Sequence, residues 1–241
     1  MALASYLLAK SDKLMVGSSI ANIYAREPYA AKQAMLMLNS FYDDRFILGL
    51  GVSHKLTVEG LRGLKYDKPI ATMRAYLDGV HKDLPTGTEA PVLVAALGPK
   101  MLELSAQKTM GAVPYNVTPK HTAIAKKILG PGKVLAVEQK VTIETDPVRA
   151  RALGREELSR YMTLDNYRNA WLGMGFTETD LANGGSDAFI DQMMLWGSAD
   201  QVKAKLKAHF DAGATHVAIQ PVHQAGDTAA RDAILKALAD L

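Results

Sequence analysis

What most constrains this 241-residue chain is an alternation repeated along its length: short, dominantly apolar runs, each followed by a segment whose apolar residues recur at helical spacing. The runs cover residues 13–20, 45–52, 91–97, 111–117, 133–145 and 215–220. Most lack the polar–apolar alternation of a half-solvated strand, so they are expected to be strands covered on both faces. The run at 133–145 is longer, with Val137, Gln139, Val141 and Ile143 on one face. Between the runs lie Ala31, Ala34, Met35 and Leu38 after Glu27-Pro28, then Met73, Leu77 and Val80 after Lys68-Pro69. Met101, Leu102 and Leu104 follow Gly98-Pro99, and Ile124, Ile128 and Leu129 follow Thr118-Pro119. A proline at the first helical position gives up an N–H that would have no partner there and pre-sets φ, so each pair marks a helix start.

Asp146-Pro147 opens a long, charged helical region that continues past Tyr161 and Tyr167. Residues 3–9 are a short helical piece, and Gly184-Gly-Ser186-Asp187 is a loop ending in a cap. Ser198 and Gln201 have capping-box spacing, Val202, Leu206 and Phe210 share a helical face, Gly213 ends that helix, and 228–241 is a last one. Strands and helices alternating in this way form right-handed parallel βαβ units. No linker or composition break divides them, so residues 1–241 are expected to be one α/β domain. About six strands fit either an open doubly wound sheet or part of a (β/α)8 barrel, which pattern alone does not separate.

Composition removes several function classes. The net charge is +3 and the basic residues are spread along the chain, so nucleic acid is not an expected partner. The absence of cysteine excludes disulfides, thiolate metal sites and a cysteine nucleophile. The first ten residues lack the basic start and cleavage pattern of a leader, and no stretch approaches a membrane span. A soluble cytoplasmic protein is the expectation.

Both parallel architectures place their site at the carboxyl ends of the strands. Those ends are residues 19–22, 49–54, 97–100, 115–118, 138–139 and 220–223. Gly49 and Gly51, one residue apart, allow a flat ring or a phosphate to approach the backbone, or equally allow tight strand packing. The third glycine and the acid of a dinucleotide fingerprint are missing. Gly98-Pro99-Lys100 brings a helix start and one cation to a point suited to phosphate, or is an ordinary turn with a solvated lysine. Thr118-Pro119-Lys120-His121 repeats the arrangement. The six histidines have no metal spacing, so no metal is expected. His81 and His209 fall on helix bodies and are expected to be solvated, whereas His54 follows a strand end. No G-x-S-x-G elbow is present. The methionines and the aromatics from Tyr161 to Trp171 are expected to be core.

Several strings together resemble the luciferase-like monooxygenase superfamily, most closely its coenzyme F420-dependent oxidoreductase branch. They are Gly17-Ser-Ser-Ile-Ala-Asn-Ile-Tyr-Ala-Arg26, Arg45-Phe-Ile-Leu-Gly-Leu-Gly-Val-Ser-His54, Leu97-Gly-Pro-Lys-Met101, Gly111-Ala-Val-Pro-Tyr-Asn-Val-Thr-Pro-Lys-His-Thr122, Tyr167-Arg-Asn169 and Asp211-Ala-Gly-Ala-Thr-His-Val217. The resemblance spans nearly the whole chain and implies a TIM (β/α)8-type barrel that binds the deazaflavin F420, or alternatively FMN, and exchanges hydride with a small organic substrate. It implies a non-prolyl cis peptide at Ser19-Ile20, with Asn22 beside it. It also implies cofactor contacts from Gly49, Gly51, Ser53, Gly98, Pro99, Lys100 and Thr118. His54 is the expected proton donor or acceptor, and a homodimer the expected assembly. Family members carry a strand, a helix and a second strand ahead of the helix matched by residues 3–9, so a shortened barrel of about six βα units is expected. That departure motivates an alternative, a catalytically impaired flavin- or partner-binding paralogue. A cofactor-free phosphate-handling barrel using Lys100 or Lys120 is a third.

Overall fold

A computed structural model describes residues 1–84 and 89–239. The chain forms two compact units, Met1–Val113 with Ile128–Val134, and Pro114–Lys127 with Leu135–Leu241.

The first unit opens with α1 (Ala2–Ala9), β1 (Val16–Gly17) and β2 (Ala21–Asn22), followed by α2 (Pro28–Phe41) and β3 (Phe46–Gly51). A single π-helical turn, Leu56–Leu61, precedes α3 (Pro69–His81), β4 (Val92–Val94), α4 (Pro99–Lys108) and β5 (Gly111–Ala112). All these strands pair in parallel. β3 takes β1 and β2 on one side, with Val16 opposite Phe46 and Ala21 opposite Leu50, and β4 on the other, with Gly49 opposite Leu93. Phe46, Leu48, Leu50, Val92 and Val94 are wholly buried, as strands covered on both faces require. The expected single strand over 13–20 is instead broken: Leu14 and Met15 are exposed, and β1 and β2 are separate two-residue contacts along β3. An apolar run of that length needs a partner along all of it to stay a strand, and in this one only Val16 and Gly17 are in register with β3, with Ala21 and Asn22 pairing again beyond it.

The second unit holds most of α5 (Pro119–Leu129) and of β6 (Val134–Thr142), then α6 (Pro147–Met162), α7 (Asp165–Met174), α8 (Glu178–Leu181), α9 (Asp187–Met193), β7 (Met194–Trp196), α10 (Ala199–Asp211), β8 (His216–Pro221) and α11 (Thr228–Ala237). β6 pairs in parallel with both β7 and β8. Expected caps are in place: Asp146 accepts from Val148 and Arg149 N–H, Ser186 from Phe189 N–H, and Ser198 with Gln201 closes a capping box. Val141, Leu195, Val202, Leu206, Ile234 and Leu238 form the core under β6 and β8. Tyr161, Tyr167 and Trp171 are buried as expected, their rings in successive contact at 5.1 and 5.9 Å.

Two expectations on α10 fail together. Phe210 is 43% exposed, while His209, expected in solvent, has no exposed surface. The buried stripe therefore runs 202, 206, 209 rather than 202, 206, 210, both of which are helical spacings. His81 is half-buried rather than solvated. The short β7 went unread because three residues directly after a helix carry no period of their own. Of the last predicted helix, residues 240–241 lie outside the described residues.

Candidate functional site

In the first unit the strand ends are built by a close approach. Ser18 N–H donates to Ile47 O at 3.1 Å, its hydroxyl donates to Gly49 O at 2.9 Å, and Ile23 N–H donates to Gly51 O at 3.1 Å. The peptide bond between Ser19 and Ile20 is cis, at the position the motif implied. A Cβ on Gly49 would collide with the Ser18 carbonyl oxygen, and one on Gly51 with the Ile20 side chain. The space beside both glycines is thus taken by the chain itself, so the packing reading accounts for them. Asn22 Oδ1 accepts from Tyr24 N–H at 2.8 Å, an Asx turn that fixes the strand exit.

Past β3, Ser53 adopts a left-handed backbone with φ 59°, turning the chain so that half-buried His54 follows it. The His54 carbonyl accepts from Val58 N–H, which starts the π-helical turn. At the head of α4, Gly98 O accepts from Met101 and Leu102 N–H, both at 3.1 Å, and Gly98, Pro99 and Lys100 are all exposed.

In the second unit Thr118 is buried and committed to α5: its hydroxyl accepts from His121 N–H at 3.4 Å and its carbonyl from Thr122 N–H at 3.0 Å. Beside it, Asn116 takes a left-handed backbone, φ 56°. Its N–H donates to Glu138 Oε2 and its carbonyl accepts from Trp171 Nε1, yet both atoms of its buried side-chain amide have no hydrogen-bond partner. An orphaned buried amide of this kind is costly to leave unmet and suits a bound polar group.

A polar cluster that sequence reasoning missed is centred on β6, at Glu138 and Lys140. Lys140 is wholly buried, with Nζ 3.1 Å from Glu138 Oε1 and 2.9 Å from Tyr115 Oη. Nζ also lies 4.1 Å from the centre of the Tyr115 ring. Burial lowers the lysine pKa against the pull of Glu138, and raises that of Glu138 against the pull of Lys140. Burial likewise raises the phenol pKa of Tyr115. The available signal was Glu138 and Lys140 alternating with Val137, Gln139 and Val141, which in a strand covered on both faces places two charges inside.

On the opposite face of β6, Gln139 donates its amide N–H to Lys140 O and Met193 O, both at 3.0 Å, which leaves Gln139 Oε1 to accept from His209 Nε2 at 2.9 Å. His209 is therefore the neutral Nε2–H tautomer, with Nδ1 facing Thr122 Oγ1 at 2.8 Å. Burial, with His121 adding to it, lowers its pKa from 6.5 to about 4. The unfolded chain then binds the extra proton first as pH falls, so this contribution to stability is complete above pH 6.5 and is lost on descending towards about 4. The gap corresponds to about 3 kcal/mol. Urea unfolding at pH 7.5 and at 4.5 is expected to show that loss in the parent and a smaller one in His209→Gln; equal losses would remove His209 as the cause.

Among the described residues, no group of three or more His, Asp or Glu is placed to hold a metal ion, and no helix is long and apolar enough to cross a membrane.

Residues 1–87 match the model of the luciferase-like monooxygenase family. A Mycobacterium tuberculosis protein assigned as a coenzyme F420-dependent oxidoreductase is 25% identical over 278 residues, covering 88% of this chain and 80% of its own. An F420-dependent secondary alcohol dehydrogenase in complex with an F420-acetone adduct shares the fold with a TM-score of 0.73 at 13% identity, over 98% of this chain and 83% of its own. So does the FMN-bound oxygenating constituent of 3,6-diketocamphane monooxygenase from Pseudomonas putida, with a TM-score of 0.72 at 15% identity, over 98% and 81%. These likenesses show a TIM-barrel-type fold, one of the two architectures that pattern left open. The chain is thus similar to the luciferase-like monooxygenase family over residues 1–87, to the F420-dependent relative along most of its length, and to both solved structures in fold.

Proposed function

We propose that this protein is an oxidoreductase that binds coenzyme F420, with FMN as the alternative, and exchanges hydride with a small organic substrate. The observation that carries this reading is the alignment of an F420-dependent oxidoreductase along 88% of the chain. The residues fit such a group. The exposed start of α4 offers Lys100 and a helix N-terminus to a phosphate. The cofactor supplies the hydride chemistry; the protein supplies orientation and electrostatics.

In this reading Ser19, Ile20, Asn22 and Ser53 shape the first unit's binding surface, and Gly49 and Gly51 act by letting residues 18–20 close on β3. Gly98, Pro99 and Lys100 hold the phosphate, Thr118 orders α5 beside Asn116, and His54 exchanges a proton. The chain acts as one domain, as a homodimer, in the cytoplasm.

Fluorescence titration of the purified protein with F420 and, separately, FMN tests this, with light scattering on the same sample for the dimer. Saturable F420 binding is expected, weakened about tenfold in Lys100→Ala, the loss of roughly one charge-assisted contact. Turnover unchanged in His54→Ala would remove that residue from the mechanism, and binding of neither cofactor would end the oxidoreductase reading.

A further inference from the structure

An asparagine side-chain amide is open to attack by the backbone nitrogen of the next residue, which closes a cyclic imide wherever the fold lets that nitrogen reach Cγ. Five of the six asparagines are guarded, each in its own way. At Asn22 the attacking nitrogen would be that of Ile23, whose N–H donates to Gly51 O at 3.1 Å, and Oδ1 already accepts from Tyr24 N–H. Asn39 is buried in α2, with both side-chain atoms bound to the Phe46 backbone at 2.8 and 3.1 Å. Asn116 is buried and followed by the branched Val117. Asn166 and Asn169 belong to α7, whose helical backbone holds the following nitrogens away from the side chains.

Asn183 has none of these restraints. It is exposed, its amide has no hydrogen-bond partner among the described residues, and the residue after it is Gly184. Its backbone is left-handed, with φ 53° and ψ 36°, and Gly184 and Gly185 follow with φ 82° and 102°. Closure requires the peptide plane between 183 and 184 to turn, and a glycine at 184 accepts either sign of φ. The bonds across this turn, Gly185 N–H to Ala182 O at 2.9 Å and Ser186 N–H to Asp180 O at 2.8 Å, use neither polar atom of that plane. Apart from Arg155 Cδ at 3.9 Å, only chain neighbours lie within 4 Å of where a Cβ on Gly184 would be, so the approach is open.

We propose that Asn183-Gly184 is a site of covalent modification in the folded protein, deamidating through the cyclic imide to aspartate and isoaspartate. Gly184 N loses its proton to solvent hydroxide and bonds to Asn183 Cγ; the Cγ–Nδ2 bond breaks, and Nδ2 leaves as ammonia with a proton from water. Water then opens the imide. Cleavage between Gly184 N and Cγ gives aspartate, and cleavage between Gly184 N and the Asn183 carbonyl carbon gives isoaspartate, with the main chain running through Cγ. One water is consumed and one ammonia released, with nothing oxidised or reduced. Either product adds a carboxylate to a turn that Arg155 holds, its Nε donating to Gly185 O at 3.1 Å and its Nη2 to Asp187 Oδ1 at 2.5 Å. Isoaspartate also lengthens the main chain just ahead of Ser186, the cap of α9, so it is expected to loosen the start of that helix.

The proposal is independent of the oxidoreductase reading, and its test needs no cofactor. Purified protein is held at pH 8.5, folded in buffer and unfolded in urea, and its peptides are followed over days by mass spectrometry. In the folded sample the peptide containing residue 183 is expected to gain about 1 Da and to split into two chromatographic species, one of them methylated by an isoaspartate methyltransferase. A turn that opens locally at little cost should let this happen within about tenfold of the rate in urea, while the other asparagines react only in urea. Asn183→Gln keeps the amide but would need a ring one atom larger, and is expected to stay unmodified. A residue 183 peptide that reacts in urea but not in the folded protein would overturn the proposal, and so would reaction of the folded protein at the other asparagines as fast as at Asn183. Both readings come from the parent protein, so they stand even if the variant does not fold.

Discussion

Gly49→Ala is expected to lower stability by about 3 kcal/mol, moving the urea midpoint down by about 1–2 M, and to abolish F420 binding with it. The added methyl would have to occupy the position of the Ser18 carbonyl oxygen, a backbone atom that cannot swing aside like the end of a side chain. Retreat is blocked on both sides of β3. Ser18 is tied to Ile47 O by its N–H and to Gly49 O by its hydroxyl, and Ala21 and Asn22 pair with Leu50 and Gly51. On the other edge Leu48 N–H donates to Pro91 O at 2.8 Å and Ala95 N–H to Leu50 O at 2.8 Å, so the strand cannot shift the other way without breaking its bonds to the β4 segment. Gly173→Ala makes the contrast: this exposed glycine of α7 has nothing within 4 Å of its would-be Cβ, and the change is expected to stabilise by about 0.5 kcal/mol. A Gly49→Ala protein as stable as the parent would show that residues 18–20 give way after all, and that the strand ends are looser than their hydrogen bonds imply.

The elements legible in the sequence are those whose signal is local. The X-Pro starts of α2, α3, α4, α5 and α6 and the caps at Ser186 and Ser198 depend on a few neighbouring residues, and each appears where it was expected. What depends on distant partners was not legible. The run at 13–20 has the hydropathy of a strand, but only β3, some thirty residues on, decides which few of its residues pair. His209 and Phe210 sit at equally helical spacings, and the choice between them falls to Gln139 and Thr122, far away in the chain and ready with hydrogen bonds for an imidazole but not for a phenyl ring. The glycines of β3 were read with two roles open, and only the position of residues 18–20 separates them. Lys140 follows the same logic: in isolation a lysine alternating with valines marks a solvent face, and its burial rests on Tyr115, Tyr161 and Gln220 closing over it.

Lys140→Met is therefore expected to cost about 3–5 kcal/mol, chiefly through what it leaves behind. Methionine fills much the same volume, and the aromatic rings of Tyr115 and Tyr161 accept a thioether readily. Glu138, however, keeps a buried carboxylate whose remaining partner is Asn116 N–H at 3.2 Å. The penalty has a sign in pH. Burial already raises the folded pKa of Glu138 above 4.5, and losing Lys140 raises it further. The folded state then holds a proton that the unfolded chain gives up, so the variant is penalised as pH rises above the ordinary carboxylate range and is relieved below it. Adding Glu138→Gln removes the charge while keeping an acceptor for Asn116 N–H, and the double variant is expected to recover most of the loss and to lose the pH dependence. Urea unfolding of both single variants and the double one at pH 4.5 and 8 reads the coupling directly. If the double variant were no more stable than Lys140→Met alone, the lysine would be acting through Tyr115 and Gln220 rather than through its carboxylate, and the cluster would be a hydrogen-bond network with an incidental ion pair.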